Sequence, residues 1–236
     1  MRVDIVLFGA HPDDVEWGIG GMALLLKETH SFAVIDLTDG EMGSRGSPGE
    51  RKVEAAAAAD FMGATLRESL HLPDCGLADP PENRRRVASV VRRLRPQLVL
   101  APYWQDRHPD HAAAGQIVRN SPLYCGLSKS DDPNPPHKPE LVLYYPLNNF
   151  QQPTFVVDTT AVFAKKLELI RIHQSQFSKT AQEFGVVAHG VSDYLFGLES
   201  RDRYMGSLIG AHFGEALIAE QAIPLRSLGS ILNLLR

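Results

Sequence analysis

At 236 residues the chain falls within the roughly 200 to 250 residues that α/β folds commonly use as one domain, so a single domain over 1–236 is expected. Apolar residues make up 44% and charged residues 22%, which excludes a disordered, collagen-like or disulfide-stapled chain. The 24 basic and 28 acidic residues leave a net charge of -4, so no global positive field recruits nucleic acid or anionic lipid, and neither is expected as a partner.

Residues 3–9 (VDIVLFG) form a β-branched apolar run that stops at a polar turn, the pattern of a strand buried on both faces. A helix is expected from Gly18 to Glu28, and 32–38 (FAVIDLT) repeats the strand pattern. The Gly/Ser/Pro-rich loop from Asp39 to Gly49 leads into the helical stretch ERKVEAAAAADFMG. A short strand near 66–72, a helix from about Glu82 to Arg95 ended by Pro96, and the strand QLVLAPY follow. Residues 128–139 (SKSDDPNPPHKP) read as an exposed excursion before a strand at 141–145. A strand near 154–158 and helices at about 160–174 and 196–216 complete the chain and are expected to pack on the same sheet. Alternating strands and helices predict a single-domain, Rossmann-like α/β fold: a mostly parallel sheet with helices on both faces.

Two polar clusters follow predicted strands at equivalent places: His11-Pro12-Asp13-Asp14 after the first and His108-Pro109-Asp110-His111 after the fourth. In open α/β sheets ligands bind outside the carboxyl ends of the strands, where strand order reverses. With strand order 3-2-1-4-5 the two clusters face one crevice. His11, Asp14 and His111 then form a two-His, one-Asp set, the catalytic zinc pattern in which a fourth position stays open. Asp13 points away from its neighbour and is placed to take a proton from water. His108 is a candidate to stabilise a developing oxyanion or protonate a leaving amine, with Asp110 orienting it.

Of the nine histidines, His30, His71, His137, His173, His189 and His212 lie outside these clusters and are expected to be structural or solvated. Gly18-Ile19-Gly20-Gly21 comes too late after its strand to cradle a dinucleotide, since HPDD occupies the loop where G-x-G-x-x-G belongs. Cys75 and Cys125 are too few for a disulfide framework and are expected to be buried. No signal-peptide pattern or membrane-length apolar run occurs, and the expected location is the cytoplasm.

The segments FGAHPDDVEWGIGG, LTDGEMGSRGSPGERKVEA, LHLPDCGL and APYWQDRHPDH resemble the PIG-L/LmbE family of zinc-dependent N-acetylglucosamine deacetylases. The DRHPDH form and the QSQF segment, Gln174 to Phe177, are most similar to the bacillithiol-pathway members that deacetylate N-acetyl-glucosaminyl-malate. The resemblance implies one zinc per chain on His11, Asp14 and His111, with Fe2+ or another divalent ion as substitute. It implies Asp13 as general base and His108 with Asp110 supporting the tetrahedral intermediate. It also implies Arg51 and Asp74 on sugar hydroxyls, and Tyr194 and Arg201 in a segment that closes the pocket. The implied partner is a small N-acetylglucosamine conjugate, whose aglycone is malate, inositol or a further sugar, and the implied assembly is a homo-oligomer of hexamer type. Some relatives carry an oxyanion tyrosine two residues before the first His of HPDH. This chain has Asp106 there, which leaves Tyr194 or Arg107 for that role.

Two other classes fit the same residues. A two-His, one-carboxylate set with open positions also describes non-haem iron redox sites, although the predicted α/β pattern is not their usual barrel setting. A non-catalytic sugar- or nucleotide-binding module would use the same crevice without releasing acetate.

Overall fold

The computed structural model describes residues 1–177 and 194–223. Its seven-stranded sheet has the order β3-β2-β1-β4-β5-β7-β6, so the expected 3-2-1-4-5 core is extended by two more strands. β1 (Ile5–Gly9), β2 (Phe32–Thr38), β3 (Leu66–Leu72), β4 (Leu98–Pro102) and β5 (Leu141–Tyr145) run parallel. Every residue of β1 and β2 is buried, as continuous apolar runs require when helices cover both faces.

One core lies under α3 (Pro81–Leu94) and α4 (Pro109–Cys125), where Val87, Val91, Leu94, Ala114 and Ile117 meet Val6, Phe8 and Val99. The opposite core packs α1 (Asp14–Leu26), α2 (Pro48–Met62) and α5 (Phe163–Ile172) on Leu7, Val34 and Leu143. α2 begins with a reciprocal capping box between Ser47 and Glu50, has Pro48 in its first turn, and ends on left-handed Gly63.

Two boundaries differ from the sequence expectation. α1 starts at Asp14 rather than Gly18, because the HPDD turn itself winds into the helix. It then breaks at Ile19 (φ -138°), inside the glycine-rich segment. The glycines there serve packing: Gly18 lies under the Tyr145 ring, and the Gly21 and Met22 amides donate to the buried Glu215 carboxylate. The second difference is at 196–216, expected as one helix. α7 (Tyr194–Ser207) stops short, and β7 (Gly214–Ala219) inserts antiparallel between β5 and β6 (Phe155–Asp158). Gly214 and Glu215 disguise β7 in sequence, yet Glu215 is buried because Lys166 pairs with it at 2.6 Å. A short α6 (Gln174–Phe177) covers the QSQF segment. Among the described residues no helix is long and apolar enough to cross a membrane.

Candidate active site

β1 and β4 are adjacent and parallel, so the loops at their carboxyl ends open on one side of the sheet. After β1 the chain turns sharply, and the Ala10 and His11 amides both donate to Asp14 Oδ2, at 2.8 and 2.9 Å. After β4, His108 caps α4: its Nδ1 accepts the Asp110 amide at 3.2 Å, and Pro109 opens the helix. These two turns bring His11, Asp13, Asp14, His108 and His111 together on the wall of one cavity of about 1080 Å³.

His111 Nε2 lies 3.2 Å from Asp14 Oδ1, and His11 Nδ1 lies 3.5 Å from Asp14 Oδ2. The other nitrogen of each ring faces carboxylates. His11 Nε2 is 3.1 Å from Asp74 Oδ1 and 3.2 Å from Asp110 Oδ2, while His111 Nδ1 is 3.2 Å from Asp106 Oδ1. As metal ligands the two rings would offer His11 Nδ1 and His111 Nε2, the nitrogens beside Asp14, and keep their protons on His11 Nε2 and His111 Nδ1, which face the other carboxylates. Metal-binding histidines are oriented in this way, the far N–H anchored on a carboxylate.

Among the described residues, three groups bring possible metal donors within 4.8 Å of one another: His11/Asp14/His111, His11/His108/Asp110 and Asp74/Cys75/Asp110. In the latter two, protein donors already occupy the acidic oxygens. Asp110 accepts the Cys75 and Leu77 amides, and Asp74 accepts those of Met42 and Cys75. Asp14 differs in that the Ala10 and His11 amides both go to its Oδ2, leaving Oδ1 beside His111 Nε2; among the described residues the first group therefore combines a carboxylate oxygen outside the backbone amide bonds with two anchored rings, and fits a divalent ion at the cavity.

The electrostatics agree with that fit. Burial opposes charge on His111, but Asp14 and Asp106 raise its pKa to about 9. Burial likewise opposes charge on His11, and hydrogen bonds to Asp110, Asp14 and Asp74 still hold it well above the usual imidazole range. A pocket that draws protons onto two imidazoles has a field suited to a dication. Burial pushes Asp13 up to about 6, against the pull of Arg51. Burial, with His111 and His11 nearby, lowers His108.

The other residues singled out in the sequence take these places. Asp110 is fixed on His11, and its backbone amide rather than its carboxylate bonds His108. Asp74 is buried and also braces His11. Arg51 is buried, its guanidinium directed at Gly40 O, Pro12 O and Asp13. Cys75, expected to be buried, is exposed, because its amide turns inward onto Asp74 and Asp110 at a positive φ of 56°. Tyr194 and Arg201 do line the cavity: Tyr194 meets Trp17 edge-on, and Arg201 lies over the Trp17 ring and donates to Trp17 O at 2.6 Å. His173 is structural, fully buried with Nε2 2.9 Å from Glu16, whereas His189 lies outside the described residues.

Sequence reasoning missed the support of His111. Asp106 collects the His108 amide at 2.8 Å and the amide and side chain of Asn148, both at 2.9 Å. Its place two residues before His108 was the available signal. Asn148 comes from the loop after β5, with no local mark.

The sequence profile of the PIG-L family, described as GlcNAc-PI de-N-acetylase, matches residues 6–121. The diacetylchitobiose deacetylase of Thermococcus kodakarensis is 30% identical over 191 residues, covering 73% of this chain and 70% of that protein. The chain belongs to the PIG-L family. It is accordingly a deacetylase-type hydrolase. Among solved structures, the conserved protein TT1542 from Thermus thermophilus is 35% identical with a TM-score of 0.85, over 95% of this chain and 97% of that one. The N,N'-diacetylchitobiose deacetylase of Pyrococcus horikoshii is 25% identical with a TM-score of 0.80, over 91% and 82%.

Proposed function

We propose that this PIG-L family member hydrolyses the N-acetyl group of an N-acetylglucosaminide in the cytoplasm, with zinc held by His11, Asp14 and His111. The observation that carries the reading is the pair of carboxylate-anchored imidazoles converging on Asp14 beside the cavity-facing Asp13. When bound, the ion supplies a Lewis acid and acidifies water at its open side.

The side chains do the rest. Asp13, 16% exposed at its side chain, takes a proton as water adds to the amide carbon. His108 accepts an amide at Nδ1, so its neutral ring carries the proton on Nε2 and can donate to the carbonyl oxygen as negative charge grows there. The C–N bond then breaks, the proton held by Asp13 passes to the nitrogen, and acetate and the free amine leave.

The substrate we favour is N-acetyl-glucosaminyl-malate, the bacillithiol precursor. Arg107 on the cavity wall supports an anionic aglycone, whereas Arg201 is engaged by Asp202, Leu147 O and Trp17 O. A chitooligosaccharide is the second reading, favoured by the diacetylchitobiose deacetylases similar to this chain and by a cavity of about 1080 Å³. Acetate release from the malate conjugate, diacetylchitobiose, an inositol-linked analogue and N-acetylglucosamine separates the two. Preference for the malate conjugate supports the first reading, and preference for diacetylchitobiose replaces it with the second.

A further inference from the structure

We infer that Arg51 is a positioning residue for Asp13, its guanidinium bordered by Gly40 and Gly43, rather than a contact to the sugar; this rests on the proposed role of Asp13 as general base. Asp13 has a φ of 134°, a conformation that L residues rarely adopt. Such a backbone costs about 1–3 kcal/mol and persists only where its surroundings impose it. Arg51 supplies that constraint. Its Nη2 donates to Pro12 O at 3.0 Å, fixing the peptide that enters Asp13, and the same nitrogen lies 3.6 Å from Asp13 Oδ2. Nη1 donates to Gly40 O at 2.8 Å.

Little of the guanidinium is left for a ligand. Arg51 is 4% exposed, and its Nε is enclosed with no acceptor among the described residues. Three of its five N–H groups are aimed at Pro12, Asp13 and Gly40, a fourth is the enclosed Nε–H, and the last is on Nη1. The glycine-rich loop closes around that same nitrogen. A Cβ at Gly40 would stand 1.9 Å from Nη1, and one at Gly43 would stand 3.0 Å from it. Gly46 is set by other demands: it sits at a φ of 68°, and a Cβ there would stand 2.6 Å from Ser175, reaching Arg51 Cγ only at 3.4 Å. Gly40 and Gly43 in DGEMGSRGS thus make room for the Arg51 guanidinium, and this part of the loop serves the base through it.

The test measures kcat, KM and zinc content for wild type, Arg51→Met, Arg51→Lys and Gly40→Ala, on whichever N-acetylglucosaminide the wild type deacetylates best. Misplacing the base lowers kcat by about 100-fold in Arg51→Met. Gly40→Ala keeps the guanidinium but displaces it, and also strains a backbone at a φ of 65°; shown folded by circular dichroism, it gives a loss of the same order and carries the test if Arg51→Met fails to fold. Throughout, KM stays within about threefold and zinc content is unchanged, because only the reacting geometry is altered. A KM raised about tenfold or more with kcat retained would make Arg51 a sugar contact and overturn the inference. Full kcat in Gly40→Ala, or loss of zinc with Arg51→Met, would overturn it as well. Failure of the wild type to release acetate from any of the four conjugates would instead overturn the functional reading beneath it.

Discussion

Replacing Asp106 probes the outer support of the metal site without touching a proposed ligand. Its carboxylate receives four hydrogen bonds: His111 Nδ1, the His108 amide, and both the amide and side chain of Asn148. Burial works against its charge, but His111 and Asn148 hold its pKa down to about 2, so it is ionised throughout the working range. Asp106→Asn keeps the volume and removes the charge, freeing the His111 ring to rotate and lowering the basicity of its Nε2. Losing such a partner costs about 10- to 100-fold in metal affinity, or about 1.4 to 2.7 kcal/mol. Zinc affinity is read by competition with a chromophoric chelator, alongside kcat at saturating zinc. Unchanged zinc affinity in a folded Asp106→Asn protein would refute the claim that His111 binds through Nε2 with Nδ1 anchored.

Asp13→Ala is expected to abolish turnover with zinc still bound, and zinc loss in that variant, measured by elemental analysis, would contradict its role as base. His108→Ala should lower kcat about 100- to 1000-fold with the metal retained, and an unchanged rate would remove it from the chemistry. Gly18→Ala sets a Cβ 2.4 Å from the ring of Tyr145, a buried residue whose hydroxyl donates to Phe8 O at 2.6 Å. Urea unfolding should show a loss of about 1–3 kcal/mol, and an unchanged midpoint would refute that packing account. For Glu16, burial disfavours the charge, but Arg67 and His173 more than offset this and hold its pKa well below the usual carboxylate range. A depressed folded-state value gives stability that is present above the unfolded value near ~4.3 and lost as pH falls. The urea midpoint should therefore drop more steeply below that pH in wild type than in Glu16→Gln; parallel curves would contradict it.

The legible parts of this protein are those written in consecutive residues. β1, β2 and β4 are apolar runs because both faces of a parallel sheet are covered, and the turn that ends such a strand must expose its polar residues at the sheet edge. That logic brought His11, Asp14 and His111 to one crevice across about 100 residues of sequence. What stayed hidden depends on partners distant in sequence. Asp110 was read as serving His108, its neighbour on the same turn, but its carboxylate reaches back to His11. β7 carries a glutamate that Lys166 of α5 and the Gly21 and Met22 amides of α1 make burial-compatible. Asn148 braces Asp106 from a loop that has no pattern of its own. The glycines after β2 mark a loop in the sequence, but that Gly40 and Gly43 border the Arg51 guanidinium depends on a helix that begins later in the chain.

The central claim is that amide hydrolysis depends on an ion held by His11, Asp14 and His111. The most direct measurement follows acetate release and bound zinc together, on chelator-treated wild type and His111→Ala, as zinc is added back. The account predicts that wild-type activity returns in proportion to zinc bound, reaching its limit near one ion per chain, and that His111→Ala regains neither. Full acetate release by the stripped wild type, or by His111→Ala without bound zinc, would contradict it.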